Sequence, residues 1–252
     1  MDVNESERLA PQSTVLHAGC EVVFHTPNRE TVRRVETLFT KEPDTIAWIG
    51  EFGADDVLFD VGANVGMYSI LAAKTRGTRV LAFEPESQNY AVLNRNIHAN
   101  GLDHLVLAYC VAIGDRSCFD KLYLSRFQAG ASCHSFGAPL DEQNRPREAL
   151  FEQGCISTTI DELVASAGLP APTHIKIDVD GLEHAVVAGA QRTIRDSRLR
   201  SVLVEINSRL DEHWDVIDQL LAAGFDYSAE QAEQARRTSG PFEGVGNYVF
   251  RR

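Results

Sequence analysis

The sequence predicts an α/β fold, with a doubly wound, largely parallel sheet of seven strands behind a small N-terminal helical and strand extension. Three observations carry this. Residues 57–73 pass from a short apolar run rich in β-formers, through Asp60-x-Gly62-x-Asn64-x-Gly66, into a helical pattern. A second apolar run, Arg79–Phe83, follows at once and ends on the acid Glu84. Apolar runs then alternate with helical stretches to the end of the chain. That alternation is the mark of βαβ units joined by right-handed crossovers.

Taken in order, residues 20–24 read as a strand before Pro27. Val32, Val35, Leu38 and Phe39 form a helical stripe, and Trp48, Ile49 and Phe52 lead to the first sheet strand. Residues 1–50 are therefore expected to be a cap on one edge of the sheet and a wall of the substrate site. Residues 51–252 form the main domain. The first helix continues over residues 68–74 and stops at Gly77. Ser87 is the expected N-cap of a second helix that ends at Asn100-Gly101.

Residues 105–113 read as a third strand and 119–124 as a further one. Residues 125–156 lack periodicity and contain Gly130, Gly137, Pro139 and Pro146, so they are read as a lid-like insertion. Its most chemical part is residues 130–135; a polar lid without chemistry is the alternative. Thr159 caps a helix over 160–167, with Glu162 at the capping-box position and Gly168 and Pro170 ending it. Residues 174–178 are the fourth strand, and Gly181 opens a helix over 182–194. Residues 201–206 are the fifth strand, followed by a helix over 214–223 closed by Gly224. Residues 225–227 and 247–250 complete the sheet, joined by the polar stretch 229–244.

The net charge of -12, with no basic run, argues against a nucleic-acid partner. The five cysteines are an odd number without a C-x-x-C pair, which fits free thiols in a reducing compartment. The first seven residues are acidic and polar, so no signal peptide is expected, and no apolar run is long enough to span a bilayer. The expectation is a cytoplasmic protein without a membrane partner. The oligomeric state is left open, a homodimer included.

The glycine turn points to a ligand. Glycine lacks a Cβ and tolerates positive φ, so a ligand can approach the backbone at Gly62 and Gly66, next to a helix N-terminus. Asp60 and Glu84 stand at the carboxyl ends of adjacent strands, where open α/β sheets bind ligands, and a strand-end acid can hold both hydroxyls of a ribose. Asn64 takes the place of the middle glycine of a dinucleotide fingerprint, so a pyrophosphate has less room. A nucleoside cofactor without phosphate and with a cationic amino-acid end, S-adenosylmethionine, fits this better than a nicotinamide dinucleotide.

The chain resembles the FkbM-type S-adenosylmethionine-dependent methyltransferases of the Rossmann-like class I methyltransferase fold. The matching segments are residues 59–69 (FDVGANVGMYS), 83–86 (FEPE), 93–96 (LNRN), 157–163 (STTIDEL) and 176–183 (KIDVDGLE). Residues 246–250 (GNYVF) are a weaker echo. At Asp180 the family more often has Glu. The resemblance implies S-adenosylmethionine as methyl donor, S-adenosylhomocysteine as product, and a small hydroxylated acceptor such as a sugar unit or secondary metabolite. It implies cofactor contacts at Asp60, Gly62, Ala63, Asn64, Gly66, Tyr68, Glu84, Pro85, Ala112 and Asp178, with Ala112 beside the adenine.

Methyl transfer from a sulfonium is an in-line displacement, so positioning carries much of the rate. An alcohol acceptor also needs a base. His184, in the first turn after Gly181, is the expected base, with Asp178 beside it and His134 of the lid as competitor. Asp180 and Glu183 have a sufficient structural reason at a helix N-terminus. Asp178, Glu205 and Asn207 offer oxygen ligands of the kind that hold a divalent cation in catechol-type methyltransferases, but a hydrogen-bonded acid pair is the preferred reading and no metal is expected. The rivals are a nicotinamide-dependent oxidoreductase, disfavoured by the missing glycine, and a non-catalytic cofactor-binding module, disfavoured by the intact acids.

Overall fold

The chain opens with a β-hairpin, β1 (Gln12–His17) and β2 (Cys20–His25), followed by helices α1 (Arg29–Glu36) and α2 (Pro43–Gly50). Then come β3 (Val57–Val61), α3 (Met67–Arg76), β4 (Arg79–Phe83), α4 (Ser87–Ala99), β5 (Val106–Tyr109), β6 (Ala112–Ile113) and β7 (Cys118–Leu124). They are followed by β8 (Ser135–Phe136), β9 (Phe151–Thr158), α5 (Ile160–Ala165), β10 (His174–Ile177) and α6 (Glu183–Ala188). The chain finishes with β11 (Ser201–Asn207), α7 (Asp211–Ala222), β12 (Asp226–Tyr227), α8 (Ala229–Ala235) and β13 (Val245–Arg251). This computed structural model describes residues 11–141, 143–165 and 169–252. The expected helix end at residues 167 and 168 and the polar first residues lie outside them.

The seven expected strands form one sheet in the order β12-β13-β11-β10-β3-β4-β5. β11, β10, β3, β4 and β5 are parallel, and β13 runs against them. From β3 the chain steps outward through β4 and β5, then returns to place β10 on the other side of β3. The carboxyl ends of β3 and β10 therefore flank the switch point, where such sheets bind ligands.

Side chains alternate across the sheet because successive Cβ atoms point to opposite faces. Leu58, Val80, Ala82 and Leu203 join one core, covered by α3 and α4. Phe59, Leu81, Phe83, Ile175, Ile177 and Val202 join the other, covered by α6 and α7. Burial on both faces explains why these strands read as apolar runs.

The N-terminal segment lies over one face and does not cap an edge. The Asn100 side chain accepts from Val23 N at 3.0 Å and donates to Val23 O at 2.7 Å, and Asn96 Oδ1 accepts from His25 N at 2.7 Å. The hairpin thus rests on α4. Trp48, fully buried, donates from Nε1 to Ser201 Oγ at 2.8 Å and anchors α2 beneath the sheet.

Five features differ from expectation. The third strand breaks after Tyr109, and Ala112–Ile113 turns away to pair with Ser157 and Thr158 of β9. The presumed loop 125–156 is not without structure: Phe151–Thr158 is a strand paired with β7 in a second sheet, order β6-β9-β7-β8. Its exposed faces mix apolar and polar residues, so no apolar alternation marked it. Glu86, not Ser87, caps α4, accepting from Gln88 N and Asn89 N. The helix after Gly181 stops at Gly189, where a Cβ would stand 2.0 Å from Gly114 O. The stretch 229–244 also holds the short α8. Among the described residues no helix is long and apolar enough to cross a membrane, and no cysteines are disulfide-linked.

Candidate active site

The turn after β3 is left-handed at Gly62, Asn64 and Gly66, with φ of 80°, 51° and 82°. Gly62 N and Ala63 N both donate to Phe83 O, at 3.0 and 3.1 Å, which ties the turn to the end of β4. A Cβ on Gly62 would lie 1.9 Å from Asp178 O, so only glycine lets the turn meet the end of β10. One on Gly66 would lie 2.3 Å from Leu93 Cδ1.

Glu84 completes this corner. Its carboxylate accepts from Asn64 N at 2.7 Å and from Glu86 N at 2.9 Å. Burial pushes its pKa up to about 7, against the pull of those two N–H donors. It lines a cavity of about 600 Å³ with Asn64, Pro85 and Asn89 on one side and the apolar Val111, Ala112, Ile113, Leu122 and Phe136 on the other. The departure of β6 from the main sheet places Ala112 and Ile113 there. An apolar slot beside an acid that can accept from a diol has the chemistry of a nucleoside site.

A wider cavity of about 1150 Å³ adjoins it. Gly62, Asn64, Ser132, Asp178 and Asp180 line both. The wider cavity is walled by Arg33, Arg34 and Lys41 of the N-terminal segment, Met67 and Tyr68 of α3, and Arg237 and Phe242 from the far end of the chain.

The junction is rich in charge. Asp178 pairs with Lys176 Nζ at 2.8 Å. Burial works against ionisation of both, but their mutual attraction outweighs it: the Lys176 pKa is raised and that of Asp178 lowered. Asp180 sits at φ 56°, a left-handed position uncommon for any residue but glycine, and its Oδ2 accepts from Cys133 N at 2.7 Å. Burial, then the Asp178 charge, push Asp180 up to about 7. Glu205 is raised well above the carboxylate range by burial and the charge of Asp178, with Arg237 at 3.6 Å opposing. Each of Asp178, Asp180 and Glu205 brings an oxygen within 4.8 Å of the others.

The turn after β10 is held from below by the buried Glu183, which accepts from Val179 N at 2.8 Å and Gly181 N at 3.0 Å. His213 Nε2 lies 3.2 Å from the same carboxylate; burial disfavours its charged form, but Glu183 outweighs this and raises its pKa. From above, residues 130–133 are pinned by Asn64 and Asn89, whose side-chain amides both donate to Ala131 O, at 2.7 and 3.1 Å.

Gly62, Asn64, Glu84, Pro85, Ala112 and Asp178 line the smaller cavity. Ala63 and Tyr68 line the wider one. Tyr68 donates its hydroxyl to Glu42 Oε2 at 2.8 Å. Gly66 lines neither cavity; it starts α3. Asp60 also lines neither: its carboxylate is buried and accepts from Ser69 Oγ at 2.5 Å through Oδ2, while Oδ1 has no hydrogen-bond partner among the described residues. His184 needs the same correction as candidate base. It lines neither cavity, because the turn at Asp180 and Gly181 carries α6 away from the junction. His134 lines the smaller cavity, not the wider one. Its Nδ1 accepts from Ser125 N at 3.2 Å, which leaves the proton on Nε2, and burial lowers its pKa to about 4. Asn207 turns its Oδ1 to Arg209 N at 3.1 Å and stands outside the acidic trio, where Asp180 takes its place.

Lys176, Asp180, Glu42 and Arg34 were not singled out in the sequence as site residues. Lys176 carried one signal, a lone cation inside the apolar run 174–177. Arg34 carried none, since its helix is remote in sequence from the turn it faces.

The profile of the methyltransferase FkbM domain matches residues 60–227. The 31-O-demethyl-FK506 methyltransferase FkbM of Streptomyces tacrolimicus is 29% identical over 223 residues, 75% of this chain and 84% of that one. The hexuronic acid methyltransferase AglP of Haloferax volcanii is 25% identical over 196 residues, 77% of this chain and 74% of that one. The crystal structure of a methyltransferase FkbM from Methylobacillus flagellatus KT superposes with a TM-score of 0.54 at 17% identity, over 80% of this chain and 44% of that longer chain. The glycine turn, the strand-end acid and the 176–183 segment all lie inside the matched span, and the chain belongs to the FkbM methyltransferase domain family.

Proposed function

We propose that this protein is an S-adenosylmethionine-dependent methyltransferase acting on a hydroxyl of a small molecule, such as a sugar unit or a secondary metabolite. The observation that carries this is the meeting of two cavities at Asp178 and Asp180: a slot lined by Glu84 and apolar side chains on one side, a wider polar chamber on the other. The residues present suit the methyl donor. Gly62 lets the turn close on the end of β10 beside the slot, Glu84 offers its carboxylate to ribose hydroxyls, and the apolar walls take the adenine. The buried Nε2 of His134, which has no partner among the described residues, is a donor for a polar edge of the ligand. The names of two relatives, one specifying an oxygen position and the other a hexuronic acid, support a hydroxylated acceptor.

S-adenosylmethionine supplies a methyl group on a cationic sulfur, which leaves as a neutral thioether. The chain's own residues arrange the rest. Asp178, held ionised by Lys176, keeps a negative charge at the junction and favours a cationic group there. Asp180 is placed to take the acceptor's hydroxyl proton and pass it to solvent, and a carboxylate poised near neutrality suits general-base work. Lys176 at 2.8 Å from Asp178 and Arg237 at 3.6 Å from Glu205 already answer two of the three carboxylates, and we read the reaction as metal-independent. Calorimetry with S-adenosylmethionine, S-adenosylhomocysteine and NADH tests the reading: the first two bind, and binding of NADH alone overturns it.

A further inference from the structure

Arg34 differs from the other cations of the wider cavity. Arg33 is ion-paired with Glu30, Lys41 with Glu42 at 2.8 Å, and Arg237 stands 3.6 Å from Glu205. Arg34 has no carboxylate partner among the described residues. Its Nε donates to Gly130 O at 2.7 Å, which fixes the guanidinium plane, and the residue lines the chamber. The seat is tight, because a Cβ on Gly130 would stand 2.9 Å from Thr31 Cγ2, one turn before Arg34. The charge of Arg34 is felt at Asp178, Asp180 and His134, which places it over the junction. In a chain of net charge -12, Arg34 is thus a cation of this wall that no carboxylate among the described residues answers.

We propose that this wall is an anion-receiving subsite and that the acceptor is an acid, bearing a carboxylate or phosphate as well as the hydroxyl that is methylated. A fixed guanidinium fork matches such a group with two parallel hydrogen bonds. The acid group at Arg34 turns the hydroxyl toward Asp180, and Phe242 and Met67 cover the apolar part. The proposal rests on the methyltransferase reading above. The same fork could receive the carboxylate of the methyl donor, so the test separates the two sources.

The probes are glucuronate and glucose, which differ only in the acid group, titrated into wild-type protein saturated with S-adenosylhomocysteine. Glucuronate is expected to bind about tenfold tighter than glucose, a charge-assisted pair being worth that much. Arg34→Ala should remove most of that preference and Arg34→Lys, which keeps the charge but not the fork, part of it, with the affinity for S-adenosylhomocysteine unchanged. Arg34→Lys keeps a long cation in the same seat, so the preference can be read even if Arg34→Ala does not fold. Equal binding of the two sugars, or unchanged preference in both variants, overturns the proposal. So does an Arg34→Ala protein that binds S-adenosylhomocysteine weakly but 5′-methylthioadenosine normally, since the fork then belongs to the cofactor. Failure of wild type to bind S-adenosylhomocysteine at all would instead strike the functional reading.

Discussion

Lys176 Nζ and Asp178 Oδ2 form an ion pair of 2.8 Å at the end of β10, with the lysine buried under the ring of Tyr68 and facing the buried acid Asp60. One cation thus compensates the acids on both sides of the switch point. Removing it leaves buried negative charge without a partner, which costs far more than the pair itself contributes. Lys176→Met should lower stability by about 3–5 kcal/mol in denaturant unfolding. The double variant Lys176→Met/Asp178→Asn should recover part of that loss; no recovery would show that the lysine acts through packing alone.

Gly62→Ala should abolish cofactor binding, because its methyl would collide with the Asp178 carbonyl at a φ of 80°. Glu84→Ala should weaken S-adenosylhomocysteine by about 1–3 kcal/mol, the range for losing a charged acceptor. Titration calorimetry checks both, and wild-type affinity in both variants would place the nucleoside elsewhere.

Cofactor affinity should depend on pH through Glu84. Its pKa of about 7 in the free protein means that it is largely protonated at pH 6, whereas ribose hydroxyls favour the carboxylate. Affinity should therefore rise from pH 6 to pH 8, with proton release on binding. The folded value lies above the unfolded carboxyl value of about 4.3, so this group stabilises the unliganded fold below that value. The contribution is lost as pH rises to about 7. A dissociation constant flat across pH 6–8 would remove Glu84 from the binding step.

Asp180→Asn should lower turnover by about 10²–10⁴-fold and leave S-adenosylhomocysteine binding intact, if Asp180 is the base. The rate should rise with pH through about 7 in wild type, because the base acts ionised, and that limb should vanish in the variant. His184→Ala, outside both cavities, should keep its turnover and its pH profile. A chelator should leave wild type unaffected. Loss of activity on chelation would assign the trio of Asp178, Asp180 and Glu205 to a metal.

The sequence by itself determined the sheet, the glycine turn and the strand-end acid, because these are written in local pattern. A strand buried on both faces must be apolar throughout, a left-handed corner must use Gly62, and each helix stop at Gly77 or Gly101 is a backbone requirement of one residue. The second sheet, the wider chamber and the set of charged groups that share it were decided only by tertiary structure. By type His184 was the expected base and Asp180, four residues earlier, only a helix N-terminus acid; the reversal at Gly181, braced by Glu183 from inside, turns His184 away and leaves Asp180 at the junction. Phe151–Thr158 is a strand because β7 lies beside it, not because of any alternation of its own. Arg34 reaches the site because the extension folds over one face and its Nε meets the Gly130 carbonyl, a contact between segments 96 residues apart. Local sequence encodes backbone conformation and burial, while which charged groups share a cavity depends on long-range packing, and the charges of this site are the part that packing assembled.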